Sequence, residues 1–488
     1  MSCRTVAPCW RSALLLGIGL LVAVSQPLRA QPLPAEFEAA LQRAKLPRES
    51  VAVLVVDAAG GAPPRLSHRA NVPLNPASVM KLVTTYAALD TLGPAFMWNT
   101  PVFVEGAVRD GTLYGNLYIL GQGDPKLVVE RLWLLLRRVQ GLGVRRIAGD
   151  IVLDRSAFEV GPQDPSDFDG EPLRPYNAAP DALLLNFKSV VMTFVPDFAA
   201  NTAQVSFEPP LAGVQMQSSV ALSNAACNDY RATLKADFSD ATRIGFGGAY
   251  PAACGERTWS VAYADPKSYG VRAVEGLWRE MGGKLVGTVR EGRVPAPGGV
   301  LPRPAFELAS PSLAEVIRDI NKYSNNVMAQ QLFLTLSLPQ RGEGQPIVPG
   351  VATQQASREF LQRWWQARIG GDDAPILDNG SGLSRHERIS ANALARLLQT
   401  AYRSPQMPEL MASLPITGVD GTLRRARVKT AGSAHLKSGS LRDVTALAGY
   451  VHARSGKRYV LVAVVNHSHA NAARPAMDAL IDWATKDN

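Results

Sequence analysis

Three short motifs place serine and lysine side chains at spacings suited to nucleophilic chemistry. Ser78-Val-Met-Lys81 comes first, Ser324-Asn325-Asn326 second and Lys437-Ser438-Gly439 third. A serine hydroxyl becomes a good nucleophile only when a base removes its proton. A lysine can act as that base when burial or nearby cations lower its pKa enough to leave it neutral. The order of the motifs is typical of enzymes that attack an amide with a serine activated by lysine.

Each motif residue has its own expected role. Ser78 is the expected nucleophile and Lys81, one helical turn away, its general base. Lys437 would supply a second cation that lowers the pKa of Lys81. Ser324 would pass a proton to the leaving nitrogen, and Asn326 would hydrogen-bond both Lys81 and the amide of the substrate. The sequence therefore predicts a serine–lysine acyl-transfer site.

The third motif also predicts how a substrate would dock. The strand that holds Lys437 would lie along the edge of the cleft and accept an extended peptide as an additional strand. Backbone N–H groups of Ser78 and Ser440 could then form the oxyanion hole.

Each motif has an ordinary structural interpretation when taken alone. Lys81 could be a solvated lysine on a helix, Ser324 and its two asparagines a turn, and Lys437 the entry of a strand. Their common order and their positions relative to the predicted elements favour the catalytic interpretation.

The elements around the motifs come from both ends of the chain. Residues 80–92 repeat apolar side chains at the helical period, and residues 51–56 form a Val-rich run typical of a buried strand. Three strand-like runs at 435–441, 445–453 and 459–466 precede a closing helix at 472–486. We expect strand 51–56 to join the C-terminal strands in one α+β domain.

The middle of the chain has a different pattern of predicted elements. Short strand-like runs alternate there with two predicted helices, at 127–139 and 270–281. The similar passages 146–152 and 284–289 each follow one of these helices, which suggests a duplicated unit. The segment between them carries Cys227 and Cys254 and could form a nested β domain.

The N-terminus predicts export. Residues 1–30 combine Arg4 and Arg11, an apolar run over 13–24 and a possible cleavage site at 28–30. The alternative is an uncleaved membrane anchor, although the run is short for a span. After export, Cys227 and Cys254 would be an even pair in an oxidising compartment, where a disulfide is expected.

Charge and composition exclude several other function classes. The formal net charge is +9, of which three charges lie in the predicted signal peptide. Because the remaining basic residues are interspersed with acids, we expect no nucleic-acid partner. There are six histidines and no H-E-x-x-H motif, and His467 and His469 form only an isolated pair. The glycine clusters at 121–125 and 245–248 lack the context of a nucleotide fingerprint and are interpreted as turns, so we expect no metal and no organic cofactor.

The chain resembles the class C low-molecular-mass penicillin-binding proteins, the D-alanyl-D-alanine carboxypeptidase/endopeptidase family. Beyond the three motifs, the resemblance rests on residues 75–82, 121–125, 176–178, 378–385 and 414–423. It implies an α+β transpeptidase-like fold with an antiparallel sheet flanked by helices and two nested inserted domains. The implied division is a signal peptide at 1–30, a catalytic domain at 31–99 and 300–488, an inserted domain at 100–182 and 259–299, and a nested β-rich domain at 183–258.

Two departures from the family pattern concern substrate binding. The third motif is Lys-Ser-Gly where the family often has Lys-Thr-Gly, but Ser438 keeps the hydroxyl that would bind the terminal carboxylate of the substrate. The family also carries an acid before its Tyr-Asn pair to hold a free amine of the peptide. Here Asp169 and Glu171 both precede Tyr176, and the choice stays open. Arg385 is expected to line the same region.

The resemblance implies a periplasmic serine DD-peptidase that acts on D-Ala-D-Ala termini or D-Ala cross-links of peptidoglycan stem peptides. β-Lactams would acylate Ser78 and leave slowly. One alternative is a β-lactamase or esterase on the same fold, although class A β-lactamases have a far shorter gap between the first two motifs. A second is a non-catalytic cell-wall binding protein, against which the intact motif residues argue. No stable membrane span is expected in the mature chain.

Overall fold

A computed structural model describes residues 32–340, 347 and 350–487, so the predicted signal peptide at 1–30 lies outside the described residues. None of the helices in these ranges is long and apolar enough to cross a membrane. The α-helices are α1 Ala35–Arg43, α2 Lys81–Leu92, α3 Val129–Gly141, α4 Tyr230–Leu234, α5 Tyr269–Glu280, α6 Leu313–Tyr323, α7 Asn326–Thr335, α8 Gln354–Arg368, α9 Ala391–Tyr402, α10 Met407–Ser413 and α11 Arg474–Thr485.

The strands fall into an N-terminal pair, a long middle series and a C-terminal trio. They are β1 Val51–Asp57, β2 Leu66–His68, β3 Asn99–Val104, β4 Ala107–Arg109, β5 Thr112–Tyr114, β6 Leu117–Leu120, β7 Arg146–Ile147, β8 Ile151–Asp154, β9 Phe158–Glu159, β10 Ser189–Asp197, β11 Thr202–Glu208, β12 Gln215–Met216, β13 Ser219–Ser223, β14 Ala236–Asp237, β15 Arg243–Phe246, β16 Tyr250–Pro251, β17 Arg257–Ala262, β18 Lys284–Leu285, β19 Val289–Glu291, β20 Phe306–Ala309, β21 Ala352–Thr353, β22 Ala434–Leu441, β23 Val444–His452 and β24 Arg458–Asn466.

One antiparallel sheet joins the two ends of the chain. Its strand order is β2-β1-β24-β23-β22. In the β1–β24 pair Val53 lies opposite Ala463, and in the β22–β23 pair Lys437 lies opposite Ala448. Strand 51–56 thus joins the C-terminal strands, as the sequence predicted, and the α+β class is confirmed. Because β22 is the edge strand, the side that carries the third motif is open to the cleft.

Helices cover both faces of this sheet. Successive side chains of a strand point to opposite faces, so β1 contributes to two separate cores. Val53 and Val55 pack in one core with the α11 residues Leu480 and Ile481. The intervening residue, Leu54, packs in the other core with residues of α2, α6, α7 and α9. The helices that begin with or end beside the motif residues are therefore fixed by a continuous buried core.

The middle of the chain forms further sheets. One has the strand order β19-β8-β6-β3-β20, a second β18-β7-β5-β4 and a third β16-β13-β11-β10-β17. The two similar passages found in the sequence lie side by side. β7 pairs with β18 and β8 with β19, both in parallel. This arrangement supports the idea of a duplicated unit; the domain boundaries stay a prediction.

Three sequence expectations differ locally from the structure. One of the strand-like runs expected in the middle of the chain, residues 147–153, is divided into β7 and β8. The break contains Gly149, which approaches Gly115 so closely that a Cβ there would lie 2.5 Å from the Gly115 carbonyl oxygen. Gly245, expected in a turn, lies within β15. The closing helix begins at Arg474, after a short 3₁₀ turn, rather than at 472.

Candidate active site

Ser78 lies in a 3₁₀ turn, Ala77–Met80, that leads into α2. The side chain of Asn75 holds this turn, accepting a hydrogen bond from the N–H of Ala77 at 2.8 Å and donating to the Ser384 carbonyl at 2.9 Å. β22 packs so tightly against the turn that a Cβ on Gly439 would lie 2.4 Å from the Pro76 carbonyl oxygen. The glycine of the third motif therefore brings the edge strand up to the serine of the first.

Lys81 is fully buried and joins the first two motifs. Its Nζ donates to Ser78 Oγ at 3.0 Å and to Asn326 Oδ1 at 2.6 Å, and also to the carbonyl oxygen of Ser381. The pKa of Lys81 is lowered well below its ordinary value, mainly by burial and secondly by the nearby charge of Lys437. A neutral amine within hydrogen-bond reach of a serine hydroxyl is the arrangement that a general base requires.

The second motif occupies the break between α6 and α7. Ser324 ends α6 in a left-handed conformation, with φ 57°. The side chain of Asn325 then caps α7 by accepting from the N–H of Met328 at 3.0 Å. These two local features separate the helices and direct Ser324 and Asn326 to the same site as Lys81.

Lys437 is fully buried on β22 and contacts the second motif. Its Nζ donates to Ser324 Oγ at 2.9 Å and to the Ser438 carbonyl at 2.7 Å. Burial lowers the pKa of Lys437 to about 7. The five residues predicted as catalytic thus lie together, with one lysine bonded to each motif serine.

Glu387 is a buried residue of this site that the sequence analysis did not single out. It has no exposed surface, and its Oε1 accepts from the N–H groups of Asp378, Asn379 and Gly380. This loop continues to Ser381, whose carbonyl accepts from Lys81. Burial raises the pKa of Glu387 to about 7. Within the surrounding polar sequence Arg385-His-Glu-Arg388, nothing distinguished it from a solvated surface carboxylate.

Two cavities meet at Ser78, and Ser324 and Ser440 line both of them. One, of about 1050 Å³, extends toward Asp169, Tyr176 and Arg385. The other, of about 920 Å³, extends past Ser438 toward α11. In the described parts of the chain, no three His, Cys, Asp or Glu side chains are grouped so that they could hold a metal ion.

The larger cavity separates the two acids that the sequence left open. Asp169 lines it and accepts hydrogen bonds at 2.8 Å from Tyr176 Oη and from the Asn177 side chain. Glu171 is exposed, pairs with Arg174 at 3.4 Å and is not among the described residues that line the cavity. Arg385 does line it, with its guanidinium stacked over Phe168 and paired with Asp443 at 2.8 Å.

The remaining predicted residues also have defined positions. Ser438 Oγ lies 2.6 Å from Thr422 Oγ1 in the smaller cavity, and Ser440 Oγ donates to Asn471 at 3.3 Å. Cys227 and Cys254 are joined by a disulfide. Both cysteines pack in the core of the inserted region, with Cys254 buried, so the bond lies outside the site.

Comparisons with known proteins show which family the chain resembles. The model of the D-Ala-D-Ala carboxypeptidase 3 (S13) family matches residues 33–487. The chain belongs to this family. The resemblance to D-alanyl-D-alanine carboxypeptidases is therefore confirmed, and the three motif positions lie inside the matched region of this S13 family member.

Named relatives cover most of this S13 family chain. It is 28% identical to the D-alanyl-D-alanine carboxypeptidase of Actinomadura sp. (strain R39), over 89% of this chain and 81% of that protein. It is 26% identical to the D-alanyl-D-alanine carboxypeptidase DacB of Haemophilus influenzae, over 77% of this chain and 76% of that protein. The crystal structure of penicillin binding protein 4 from H. influenzae superimposes with a TM-score of 0.69 at 23% identity, covering 92% of this chain and 99% of that one. That likeness shows the shared fold.

Proposed function

We propose that this chain is a periplasmic serine DD-peptidase that cleaves D-Ala-D-Ala termini or D-Ala cross-links of peptidoglycan stem peptides. Membership of the S13 family supports the enzyme class. The observation that carries the mechanism is the position of Lys81 Nζ, buried and within hydrogen-bond distance of both Ser78 and Asn326. The predicted signal peptide supports export, and the names of the relatives support the substrate class.

In the acylation step, Ser78 Oγ attacks the carbonyl carbon of the penultimate D-alanine while Lys81 accepts the hydroxyl proton. The backbone N–H groups of Ser78 and Ser440 would stabilise the oxyanion. When the C–N bond breaks, Ser324 gives its proton to the leaving nitrogen and recovers one from the ammonium group of Lys81, while Lys437 stays charged beside Ser324. The products of this step are an ester on Ser78 and a free amine.

Water completes the reaction. Neutral Lys81 accepts a proton from it while its oxygen adds to the ester carbonyl. As the bond between that carbon and Ser78 Oγ breaks, Lys81 returns the proton to Ser78, and the peptide leaves with a new carboxyl group. A β-lactam would acylate the same serine, but because its amine remains attached to the acyl group, the ester would hydrolyse slowly.

In this proposal the catalytic unit comprises 31–99 and 300–488, with 100–182 and 259–299 as one inserted domain and 183–258 as a second nested in it.

Two subsites complete the proposal. Ser438, with Lys437, binds the carboxylate next to the scissile bond. Asp169 holds a free amine of the donor peptide, with Tyr176 as the hydrogen-bond donor that fixes its carboxylate and Arg385, stacked over Phe168, lining the same cavity. Glu171 remains the alternative for the amine, but Asp169 is favoured because it lines the cavity that contains Ser78.

The test is covalent labelling by a fluorescent penicillin, combined with mass analysis of the products from purified muropeptides. Ser78→Ala should abolish labelling and lower turnover by roughly four orders of magnitude. Ser455→Ala is the matched control, because Ser455 is an exposed serine outside both cavities and its loss should leave labelling unchanged. Stable labelling of Ser78→Ala would refute the assignment of the nucleophile. Labelling of the wild type without any muropeptide product would favour a penicillin-binding protein that is not a peptidase.

A further inference from the structure

The smaller of the two cavities carries an unusual density of unpaired positive charge. It lies between the loop 421–426, β22 and α11, and we call it the arginine cavity after Arg424, Arg425 and Arg474, which line it. All three side chains are exposed, and within the described part of the chain no hydrogen bond or ion pair occupies their guanidinium groups. Guanidinium groups bind carboxylates in bidentate geometry, so the cavity is suited to an anionic group.

The cavity contains one acid that only partly offsets this charge. Asp478 lines it as well, but one oxygen of its carboxylate already accepts from the backbone N–H of Arg427 at 3.1 Å. Three cations therefore face one carboxylate. The cavity that holds this excess of positive charge is also lined by Ser78 and by Ser438 and Thr422, whose hydroxyl oxygens lie 2.6 Å apart.

The position of this cavity determines which part of a substrate enters it. The acyl portion would extend into the cavity of Asp169, on the other side of Ser78. The leaving group carries the carboxylate assigned to Ser438, and Ser438 lines the arginine cavity. The leaving group therefore departs into the arginine cavity. A volume of about 920 Å³ falls in the range of pockets that hold ligands much larger than a single amino acid.

We propose that the arginine cavity binds a second, carboxylate-bearing stem peptide as the leaving group, which makes cross-linked peptides the preferred substrate. This inference rests on the proposed function, because it concerns the leaving group of the same reaction. The bond that breaks joins the D-alanine carbonyl to the side-chain amine of the second peptide. The amine takes a proton, water supplies the hydroxyl of the new carboxylate, and no further reactant is needed. Arg424, Arg425 and Arg474 would bind carboxylates of the departing peptide.

The experiment compares kcat/KM for a cross-linked muropeptide dimer with kcat/KM for a monomer that ends in D-Ala-D-Ala. The expected result is that Arg424→Gln, Arg425→Gln and Arg474→Gln combined lower the dimer-to-monomer ratio about tenfold, the scale of three exposed ion pairs. Added salt should lower the wild-type ratio in the same direction. Arg427→Gln is the matched control, because Arg427 directly follows the loop 421–426, is exposed and does not line the cavity, so this variant should keep the wild-type ratio.

A second arm needs no variant. The wild-type protein is given dimers in which the carboxylates of the second peptide are either free or amidated, and the free form should be cleaved about tenfold faster. Equal cleavage of the two forms, or an unchanged ratio in the triple variant, would overturn the proposal. In either case Ser78-dependent penicillin labelling would show that the proposed function itself still stands, whereas loss of that labelling in the wild type would refute the proposed function.

Discussion

Lys437 Nζ lies 2.9 Å from Ser324 Oγ, just as Lys81 Nζ lies 3.0 Å from Ser78 Oγ. Each of the two motif serines therefore has its own buried lysine. The pKa values of both lysines are lowered, that of Lys81 by burial and by the charge of Lys437, and that of Lys437 by burial. Two amines that share a buried site cannot both be charged without strong repulsion, so the pair favours one neutral base and one cation.

This division of roles predicts that the two lysines respond differently to arginine. Lys81→Arg keeps a positive charge but cannot lose its proton near neutral pH, so acylation by a β-lactam should fall almost as far as in Ser78→Ala. Lys437→Arg keeps the cation beside Ser324 and should retain acylation, reduced about 10- to 1000-fold, the scale of one transition-state contact. The measurement is the acylation rate of each variant with the same β-lactam. If Lys81→Arg reacts as fast as Lys437→Arg, the assigned roles are wrong.

Asp169 and Glu171 form a natural pair for testing recognition of the substrate amine. Partial burial raises the pKa of Asp169, but hydrogen bonds from Tyr176 and Asn177 outweigh this and hold its pKa below the ordinary value. Asp169 is therefore ionised at neutral pH. Asp169→Asn should reduce the preference for a free over an acetylated amine by roughly two- to fivefold, as for an exposed ion pair. Glu171→Gln should preserve it, and the opposite outcome would transfer the role to Glu171.

The disulfide predicts a stability effect that is separate from the chemistry. Cys227 and Cys254 are separated by 27 residues in sequence. A bond that closes such a loop adds about 3 kcal/mol to the free energy of unfolding in the chain-entropy model. Cys227→Ser combined with Cys254→Ser should lower denaturant stability by this amount while penicillin labelling persists. Titration of the denatured, unreduced mature protein should find no free thiol; two titratable thiols would refute the bond in solution.

The sequence predicted the elements that position the motifs because their signals are local. The apolar period of 80–92 and the Val-rich run at 51–56 each specify an element and its buried face, and the structure has α2 and β1 there. The strand pairing could be predicted because the isolated strand at 51–56 and the C-terminal trio each needed a partner strand. The sequence could not decide between Asp169 and Glu171, because two acids so close in sequence differ only in which of them faces the cavity that contains Ser78.

Glu387 could not be predicted for a different reason. It is buried with its carboxylate bonded to the backbone of the loop 378–380, and no local pattern in the sequence encodes these contacts. The oxygen Oε1 has three backbone donors, whereas Oε2 is buried without a partner among the described residues. The carboxyl group thus holds the loop whose Ser381 carbonyl contacts Lys81, and it lies close enough to act on Lys81 electrostatically.

The last prediction concerns the pH dependence that Glu387 imposes. Burial raises its pKa from 4.5 to about 7. Between these pH values the folded protein keeps a proton that the unfolded chain releases, so stability falls as pH rises through this window. Glu387→Gln removes the titrating group but keeps an acceptor for the loop. Across this window the free energy of unfolding of the variant should therefore fall by roughly 3 kcal/mol less than that of the wild type. Glu130→Gln, at an exposed position in α3, should behave as the wild type.

The same variant should change catalysis in a defined direction. The negative charge of Glu387 raises the pKa of Lys81 and so opposes the effects of burial and of Lys437. Near and above pH 7, where Glu387 is ionised, the variant lacks this charge, so Lys81 stays neutral to lower pH and that part of the acidic limb of the pH profile of penicillin acylation should shift toward lower pH. A residue with a merely structural role would change the rate without moving this limb. An unshifted or oppositely shifted limb in a folded Glu387→Gln protein would show that Glu387 does not tune the base.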